Sequence, residues 1–402
     1  MKNKTNKVFC SKCILHSQVP NISINEKGLC NECEQNLFDR TIDDKIKKSL
    51  KKRTETLLEK VKSENHLYDI LVLYSGGKDS TALLNLMKNT YKMKILALQV
   101  IHPLVGENAK KSAEQGAKKI GVDLIQIYQD ENIYKKFVCM TLLNSNKYNL
   151  GESGCEICSF LYRWTGFRMA MQMNIPIIVD GFDKSQGTNI YRHQEMLNSN
   201  AKNGILPYGE MHKIFEDIIG DDERIGMYRY NNEDRAKYPL PSFISPFTFM
   251  DYDYRDNVEI FGQLGIETTS VARINNMCKA IHFFDLVSFK KYDCHSFIRH
   301  WANGIRYGYP TLSQLESTGN ELLENAGRNE LIDWMNEYKK VLFYVAKTKK
   351  DQSDDVIKQS IIDMTPTIKS MITPDSYDKL LENILYMRTM IDFFEIDIDT
   401  IE

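Results

Sequence analysis

Short apolar runs alternate with amphipathic stretches along the first half of the chain. The apolar runs predict strands, and the stretches between them predict helices. The predicted strands are Ile70–Tyr74, Lys94–Ile101, Leu124–Ile127 and Ile175–Val179, and the predicted helices are Ser80–Asn89, Asn108–Ile120 and Phe160–Met173. Strands that alternate with helices are typical of βαβ units, whose parallel sheet is covered by helices on both faces. The pattern therefore predicts an α/β fold with a doubly wound parallel sheet.

The same pattern divides the chain into four parts. We expect a cysteine-rich N-terminal module, a charged linker helix, an α/β domain and a helical C-terminal region, at residues 1–40, 41–66, 67–290 and 291–402. Two further pieces read as a helix at Asp256–Leu264 and a strand at Ile244–Phe249. In the last part, a stripe at helical spacing predicts a core-facing side: Trp334, Tyr338, Leu342 and Val345.

The motif Ser-Gly-Gly-Lys-Asp-Ser at residues 75–80 lies between the first predicted strand and helix. Adjacent glycines let backbone N–H groups approach phosphate oxygens, and the N-terminus of the following helix adds partial positive charge. Lys78 adds a full charge, and Ser75 and Ser80 add hydroxyl donors. The spacing is not that of a Walker loop, which needs Gly-x-x-x-x-Gly-Lys-Ser/Thr. The motif predicts a binding site for a multiply charged anion.

In this strand–turn–helix context the motif resembles the PP-loop of the ATP pyrophosphatase superfamily, the adenine nucleotide alpha hydrolases. The resemblance implies cleavage of ATP between its α and β phosphates, with transfer of AMP to the substrate and release of pyrophosphate. Pyrophosphate recognition, with Mg²⁺ offsetting charge, would fall to Ser75, Gly76, Gly77, Lys78, Asp79 and Ser80. The nucleotide would lie between the ends of the second and fourth strands, near Gln99 and Gly181.

Three more polar residues follow from this position of the nucleotide. Asp183, just after the fourth predicted strand, joins Lys78 and Asp79 as a candidate catalytic residue that binds Mg²⁺ or polarises the substrate; a helix cap is the alternative. Arg163 and Arg168 are expected to be exposed helix charges, with contact to a phosphorylated substrate as the alternative.

The first four cysteines form two Cys-x-x-Cys pairs, Cys10 with Cys13 and Cys30 with Cys33. No apolar run approaches the length of a membrane span and the N-terminus lacks a signal-like apolar core, so we expect a cytoplasmic protein without a membrane partner. A reducing compartment disfavours disulfides. The spacing is that of a four-thiolate zinc site, which is closed and hence serves structure or docking.

A third pair, Cys155 and Cys158, opens a predicted helix after Gly151-Glu152-Ser153-Gly154. Some PP-loop enzymes that insert sulfur hold an iron–sulfur cluster with such a pair and a distant third cysteine. That resemblance implies Cys278 as the third ligand, with Cys139 and Cys294 as weaker candidates. A second zinc site and metal-free paired thiols remain alternatives to a [4Fe-4S] cluster.

The cysteine-rich segment 10–33 looks like the N-terminal signature of the N-acetyl sugar amidotransferase family. The similarity returns at residues 174–181 and 294–316. It implies an ATP-dependent amidotransferase that adenylates an acetamido oxygen and replaces it with ammonia, giving an acetamidino group in surface or flagellin glycan, lipopolysaccharide or nonulosonic acid pathways. The family usually has Gly-Glu where this chain has Gly181-Phe182-Asp183.

Charge bears on the choice of substrate. The formal net charge is −2 and the sequence pI is about 6.5, which disfavours a nucleic-acid partner and favours a sugar or sugar nucleotide. No glutaminase nucleophile is evident, so ammonia would come from solution or from a partner glutaminase. The alternative is a sulfur transferase for tRNA or a small molecule. A nucleotide-sensing adaptor without enzyme activity is the non-enzymatic alternative.

Overall fold

The structure is a computed structural model. It describes residues 7–34, 40–144, 154–182, 215–220, 237, 239–250, 254–266, 278–307, 328–348, 351–371 and 374–401. Two of the predicted site features, Asp183 and the side chain of Cys155, lie outside the described part.

Five parallel strands form the central sheet. They are β1 (Ile70–Leu73), β2 (Ile95–Ile101), β3 (Asp123–Tyr128), β4 (Ile177–Val179) and β5 (Ser242–Ile244). Their order is β3-β2-β1-β4-β5, so the chain winds outward from β1 to one edge and then returns to β4 on the other side of β1. The predicted doubly wound parallel sheet is confirmed. In such sheets ligands bind outside the carboxyl ends of the strands where the winding reverses, which here is between β1 and β4.

The helices surround this sheet and build the C-terminal region. They are α1 (Asn31–Glu34), α2 (Arg40–Ser63), α3 (Lys78–Asn85), α4 (Glu107–Ile120), α5 (Glu131–Leu143), α6 (Gly154–Gln172), α7 (Tyr254–Gln263), α8 (Ile281–Tyr292), α9 (Ile298–Tyr307), α10 (Arg328–Ala346), α11 (Asp354–Met364), α12 (Pro366–Met371) and α13 (Pro374–Phe394). A π-helical turn, Leu86–Thr90, continues α3. Within the described ranges, no helix combines the length and apolar character that crossing a membrane requires.

Each face of the sheet carries its own apolar layer. Ile70 and Val72 of β1 point to the layer that includes Ala113 of α4. Leu71, the residue between them, points to the opposite layer, where Phe167 of α6 lies. Successive side chains of a strand point to opposite faces, so a strand buried on both faces is apolar throughout. This explains why β1 reads as a continuous apolar run that leads directly into the glycine motif.

The helical C-terminal region and the N-terminal cysteine segment share one core. The cluster contains Cys10 and Cys30 together with Trp301 and Trp334. The predicted core-facing stripe of α10 is confirmed, since its four members are fully buried: Trp334, Tyr338, Leu342 and Val345. Residues 7–34 therefore pack on the C-terminal helices, while the exact domain boundaries stay a prediction.

Some elements differ from the sequence-based expectation. The strand predicted to reach Phe249 ends at Ile244, because Pro246 opens a 3₁₀ turn and has no N–H to donate to the sheet. Helix α6 begins at Gly154, earlier than the periodic pattern from Phe160 indicates but close to the start expected from Cys155 and Cys158, so Cys158 lies in its second turn. Helix α5 had no predicted counterpart, although Asp130 caps it by accepting a hydrogen bond from the backbone N–H of Ile133.

A buried polar network fastens α8 to α10. The Tyr338 hydroxyl donates to Asp285 Oδ2 at 2.8 Å and accepts from His282 Nδ1. Ser296 donates to Oδ1 of the same aspartate through its hydroxyl and its N–H. Burial raises the pKa of Asp285 and lowers that of His282 to about 4. Because both side chains are removed from water, their polar atoms rely on these hydrogen bonds.

Replacing Tyr338 with phenylalanine should lower the free energy of unfolding by about 1–3 kcal/mol, because a buried carboxylate and an imidazole each lose a partner. Chemical denaturation measures the change. The matched control is Tyr344→Phe, at a half-buried position of the same helix, which should change stability by no more than about 0.5 kcal/mol. Equal losses in the two variants would contradict a structural role for the network.

Candidate active site and cysteine sites

The glycine motif forms a tight loop between β1 and α3, pressed against α4. Gly76 has φ +82°, and a β carbon there would lie 2.5 Å from the Ala109 carbonyl oxygen and 2.8 Å from the Ala113 nitrogen. Both are backbone atoms of α4 and cannot rotate away. Only glycine combines the left-handed backbone with this close approach. The loop is therefore held at a fixed position at the carboxyl end of the central strand.

Hydrogen bonds inside the loop fix its shape. The hydroxyls of Ser75 and Ser80 lie 3.0 Å apart, and the Gly77 N–H donates to Ser75 Oγ at 3.3 Å. Ser80 Oγ also donates to the Gly77 carbonyl at 3.1 Å. The structure thus gathers residues 75–80, all predicted as pyrophosphate-binding, at the N-terminus of α3. That terminus presents backbone N–H groups and partial positive charge to an anion.

Lys78 and Asp79 form an ion pair at the start of α3. Lys78 Nζ lies 3.0 Å from Asp79 Oδ2, and only 4% of the lysine side chain is exposed. The other aspartate oxygen, Oδ1, accepts a hydrogen bond of 2.9 Å from Asn257 Nδ2. Asn257 is buried on α7, which packs on α3. Sequence reasoning missed Asn257, because no short motif connects residues so far apart in the chain.

Gln99, predicted to bind the nucleotide, lies beneath the loop with 2% exposure. Its side-chain N–H groups donate to the carbonyls of Ser75 at 3.1 Å and Ala109 at 3.2 Å. Its oxygen accepts from Gln126 Nε2 at 2.8 Å. With these atoms engaged inside the protein, Gln99 has the position of a residue that ties the loop to α4, rather than of one that faces a ligand.

Gly181 is next to the loop, as expected for the end of β4. A β carbon at Gly181 would lie 3.6 Å from the Ser80 nitrogen, so β4 ends beside the N-terminus of α3. The preceding Asp180 is buried and accepts hydrogen bonds from Ser245 Oγ at 2.5 Å and the Phe182 N–H at 3.2 Å. Burial raises the pKa of Asp180. Sequence reasoning missed this network because one aspartate at the end of an apolar run reads as a strand end.

Arg163 corrects another expectation. Its side chain is 11% exposed, and its Nη2 lies 3.5 Å from Asp180 Oδ2. The guanidinium also stacks over the Phe182 ring, 4.3 Å from the ring centroid. Arg163 is therefore not the solvent-exposed helix charge that its sequence position indicates. It lies instead at the carboxyl end of β4, on the same edge of the sheet as the loop.

The four N-terminal cysteines come together as one buried group. The Sγ atoms of Cys10, Cys13, Cys30 and Cys33 lie within 4.8 Å of one another. Cys13 Sγ and Cys30 Sγ are 3.7 Å apart. A tetrahedral zinc site with Zn–S bonds of about 2.3 Å places its sulfurs about 3.8 Å apart. A [4Fe-4S] cube, in which each cysteine binds a different iron, requires a wider spread. The predicted cysteine cluster is confirmed and fits a single ion; zinc stays a prediction.

The second cysteine site brings Cys158 close to Cys278. Cys278 forms a β-bridge with Val105, just past β2, and Cys158 Sγ lies 3.1 Å from the hydroxyl of Tyr134 on α5. His102 stacks on that tyrosine with 4.9 Å between ring centroids. Burial, and to a smaller extent the nearby charge of Cys278, raises the pKa of Cys158 to about 12. Sequence reasoning missed Tyr134 and His102, which no cysteine spacing indicates.

The weaker candidates for the third ligand lie elsewhere. Cys139 Sγ donates to the Phe394 carbonyl at 3.7 Å, and Cys294 Sγ is 3.7 Å from Ser288 Oγ. Burial also raises the pKa of Cys278, to about 11. Cys278 thus lies near enough to Cys158 to affect its pKa, whereas the sulfurs of Cys139 and Cys294 contact other residues. Both lie near the carboxyl end of β2, on the same edge of the sheet as the glycine loop.

Replacing Gly76 with alanine should cost far more stability than the same change at Gly121. Gly121 also has a left-handed φ, +73°, but nothing lies within 4 Å of its added β carbon. Gly121→Ala then carries only the backbone strain of about 1–2 kcal/mol. Gly76→Ala carries that strain plus displacement of α4 backbone atoms. Unfolding by denaturant measures both, and equal losses would show that the close approach to α4 is unimportant.

Comparisons with known proteins give distant relatives. No protein-family model matches the chain. Over 229 residues it is 28% identical to an uncharacterized protein of Methanocaldococcus jannaschii, a match that covers 55% of this chain and 77% of that protein. Among solved structures, the U34-tRNA thiolase NcsA from Methanococcus maripaludis with its [4Fe-4S] cluster matches with a TM-score of 0.32 and 14% identity, covering 78% of this chain and 86% of that chain.

A predicted subunit of tRNA methyltransferase from Methanocaldococcus jannaschii matches with a TM-score of 0.27 and 17% identity, covering 48% of this chain and 75% of that chain. At such TM-scores neither solved structure carries an argument about activity.

Proposed function

We propose that the protein is an ATP-dependent enzyme of the PP-loop type, which adenylates a carbonyl oxygen of its substrate and releases pyrophosphate. The observation that carries this proposal is the fixed loop of residues 75–80, which follows β1 in the chain. The loop lies where the winding of the sheet reverses, beside the end of the neighbouring strand β4. Ligands of open parallel sheets bind at this place. The complete Ser-Gly-Gly-Lys-Asp-Ser motif gives the loop its likeness to PP-loops.

Backbone groups and two side chains of the loop would act in this reaction. Backbone N–H groups at the start of α3 and the Lys78 ammonium would bind the β and γ phosphates, stabilising the pyrophosphate as it leaves. Asp79, held by Asn257, is placed to bind Mg²⁺ through a carboxylate oxygen. Lys78 and Asp79 form an ion pair with each other. On ATP binding, phosphate would replace Asp79 as the partner of Lys78, and Mg²⁺ would replace Lys78 as the partner of Asp79.

The chemical purpose of adenylation is to create a leaving group. The carbonyl oxygen attacks the α phosphorus, the bond to the β phosphate breaks, and pyrophosphate departs. The oxygen now carries AMP, so a nucleophile that adds to the carbon can expel it as AMP. The loop accounts for this activation whether nitrogen or sulfur is the nucleophile. Residues outside the loop would determine which nucleophile is used.

We infer that sulfur is the better candidate, because Cys158 and Cys278 lie together at the same edge of the sheet as the loop. The reaction would then be thiolation of a tRNA base or of a small molecule. With Cys155, three residues before Cys158, these cysteines would hold a [4Fe-4S] cluster, which would supply an iron site for the sulfur donor. Tyr134 would orient Cys158 through their 3.1 Å contact.

The second candidate is the sugar amidotransferase. It is supported by the likeness of segments 10–33, 174–181 and 294–316 to that family and by the net charge of −2. In that reaction ammonia, from solution or from a partner glutaminase, would displace AMP from the activated acetamido group of an N-acetyl sugar or sugar nucleotide. Asp183, outside the described residues, keeps its proposed role in binding Mg²⁺ or polarising that group.

Replacing Lys78 with methionine should slow pyrophosphate release by about 10²–10³-fold, the usual cost of losing one electrostatic contact to a developing charge. The assay measures released pyrophosphate directly and identifies the nucleotide product from ATP labelled at the α phosphate, with unmodified tRNA, N-acetyl sugars or sugar nucleotides as substrate. Lys52→Met, at an exposed position of α2, is the matched control and should keep full activity. Formation of ADP instead of AMP, or equal rates in both variants, would refute the proposal.

Replacing Cys158 or Cys278 with serine should abolish iron and acid-labile sulfide in protein purified without oxygen, while adenylation of the substrate with release of pyrophosphate continues. The Cys139→Ser variant, whose thiol contacts the Phe394 carbonyl, should keep both iron and sulfide. Metal analysis and the visible spectrum measure the cluster, and the product shows the nucleophile. A colourless wild-type protein that forms AMP with an N-acetyl sugar and ammonia would favour the amidotransferase.

A further inference from the structure

One arginine reaches the sulfur atoms of the four-cysteine site from the C-terminal helices. Arg306, on α9, has no exposed side-chain surface. Its guanidinium donates to Cys33 Sγ at 3.2 Å, to Cys13 Sγ at 3.3 Å and to Cys30 Sγ at 3.6 Å. Three of the four candidate metal ligands thus share one buried cation as a hydrogen-bond donor.

Glu32 holds this arginine in place from the cysteine side. It lies between Cys30 and Cys33, and its Oε2 accepts from Arg306 Nη1 at 2.8 Å. Its other oxygen accepts from Arg299, two turns earlier on the same face of α9. The same Nη1 of Arg306 also donates to Asn303 Oδ1 at 2.7 Å. The guanidinium is therefore fixed by partners on both sides, with its remaining N–H groups directed at sulfur.

A second helix, α10, forms hydrogen bonds to the backbone of the Cys10–Cys13 pair. Arg328, the first residue of α10, donates to the Cys10 carbonyl at 2.8 Å and to the Cys13 carbonyl at 2.9 Å. These carbonyls belong to the loop that shapes the first Cys-x-x-Cys pair. Helix α9 thus contacts the sulfurs and α10 the backbone of one small module.

Charge explains why this arrangement depends on a metal. Four thiolates around a divalent ion carry a net charge of −2, and a buried charge is costly unless it is paired and hydrogen-bonded. A guanidinium that donates to the thiolates offsets part of that charge, and the thiolates in turn compensate the buried arginine. A bound ion would thus keep negatively charged sulfur atoms within hydrogen-bond distance of the guanidinium, which Glu32 contacts as well.

Helix α9, which carries Arg306, is also connected by hydrogen bonds to the rest of the helical core. Ser296, just before α9, donates to Asp285 of α8. Ser288 of the same helix donates to the Cys294 carbonyl at 2.8 Å. Helix α8 starts three residues after Cys278. A change in the position of α9 would therefore reach the helix that leads out of the second cysteine site.

We propose that Arg306 couples the metal of the four-cysteine site to the helical C-terminal region, so that bound metal stabilises α9 and α10 and these helices tighten the binding of the metal. Arg306 is a positioning residue in this scheme, since it acts through the thiolates. The coupling is independent of the nucleophile that the enzyme uses and of the proposed reaction.

The first test measures zinc affinity by competition with a chromogenic chelator. Arg306→Gln removes the charge and the fork of donors, and zinc affinity should fall about 10–100-fold, as is usual when a residue that supports metal ligands is replaced. The zinc affinity of Arg306→Lys, which keeps only the charge, should lie between those of the wild type and Arg306→Gln. The matched control is Arg388→Gln, which breaks an arginine–aspartate pair on α13 and should leave zinc affinity unchanged. Wild-type affinity in Arg306→Gln would overturn the proposal.

The second test uses the wild-type chain and needs no variant that might misfold. Amide hydrogen exchange is compared before and after zinc is removed with a chelator and then restored. Exchange in α9 and α10 should speed up at least tenfold without zinc, while β1 and β2 stay protected. Arg328→Gln, which keeps the contacts to sulfur, should reduce this zinc-dependent protection in α10 more than in α9. If zinc removal leaves the exchange of both helices unchanged, the coupling does not exist.

Discussion

The close approach of the Gly76 backbone to α4 is the constraint on which the candidate active site depends. The loop after β1 can lie flat against this helix only because residue 76 has no side chain and a left-handed backbone. Gln99 then joins the loop carbonyl of Ser75 to the α4 carbonyl of Ala109 from below. With its lower side fixed in this way, the loop presents its N–H groups to the open end of the sheet. A charged ligand would thus meet donors that are already oriented, with little ordering left to be done on binding.

The two cysteine sites use the same side chain for different purposes. The N-terminal four are closed in by α9 and α10 and by arginines, an arrangement that suits a permanent ion with no free coordination position. Cys158 and Cys278 lie at the end of the sheet near aromatic and imidazole side chains, Tyr134 and His102. The first site holds parts of the chain together, whereas the second lies where chemistry on an activated substrate could take place.

Much of the fold could be read from the sequence, because both of its main signals are local. A strand buried on both faces must be apolar throughout, which made β1 and β2 evident, and the motif at 75–80 needs no distant partner to be recognised. The spacing of the N-terminal cysteines likewise predicted their cluster. What could not be read are contacts between distant segments. Asn257 on Asp79, Arg163 on Asp180 and Arg306 on the cysteine sulfurs join residues with no common pattern. The hydrogen bonds of Gln99 could not be read for a related reason, since its place at a strand end is evident while the direction of its amide is not.

The contact between Asn257 and Asp79 has a consequence for the order in which the protein is assembled during synthesis. The two residues are 178 positions apart, so the ribosome releases the glycine loop long before it releases the helix that steadies its carboxylate. The strand β4, which pairs with β1 and brings Gly181 beside the loop, also emerges late. A nascent chain that has made only β1, β2 and β3 therefore carries the whole motif with α4 and Gln99 beside it, but still lacks Asn257 and Gly181. Nucleotide binding in the growing chain would begin only after most of the sheet and α7 have left the exit tunnel.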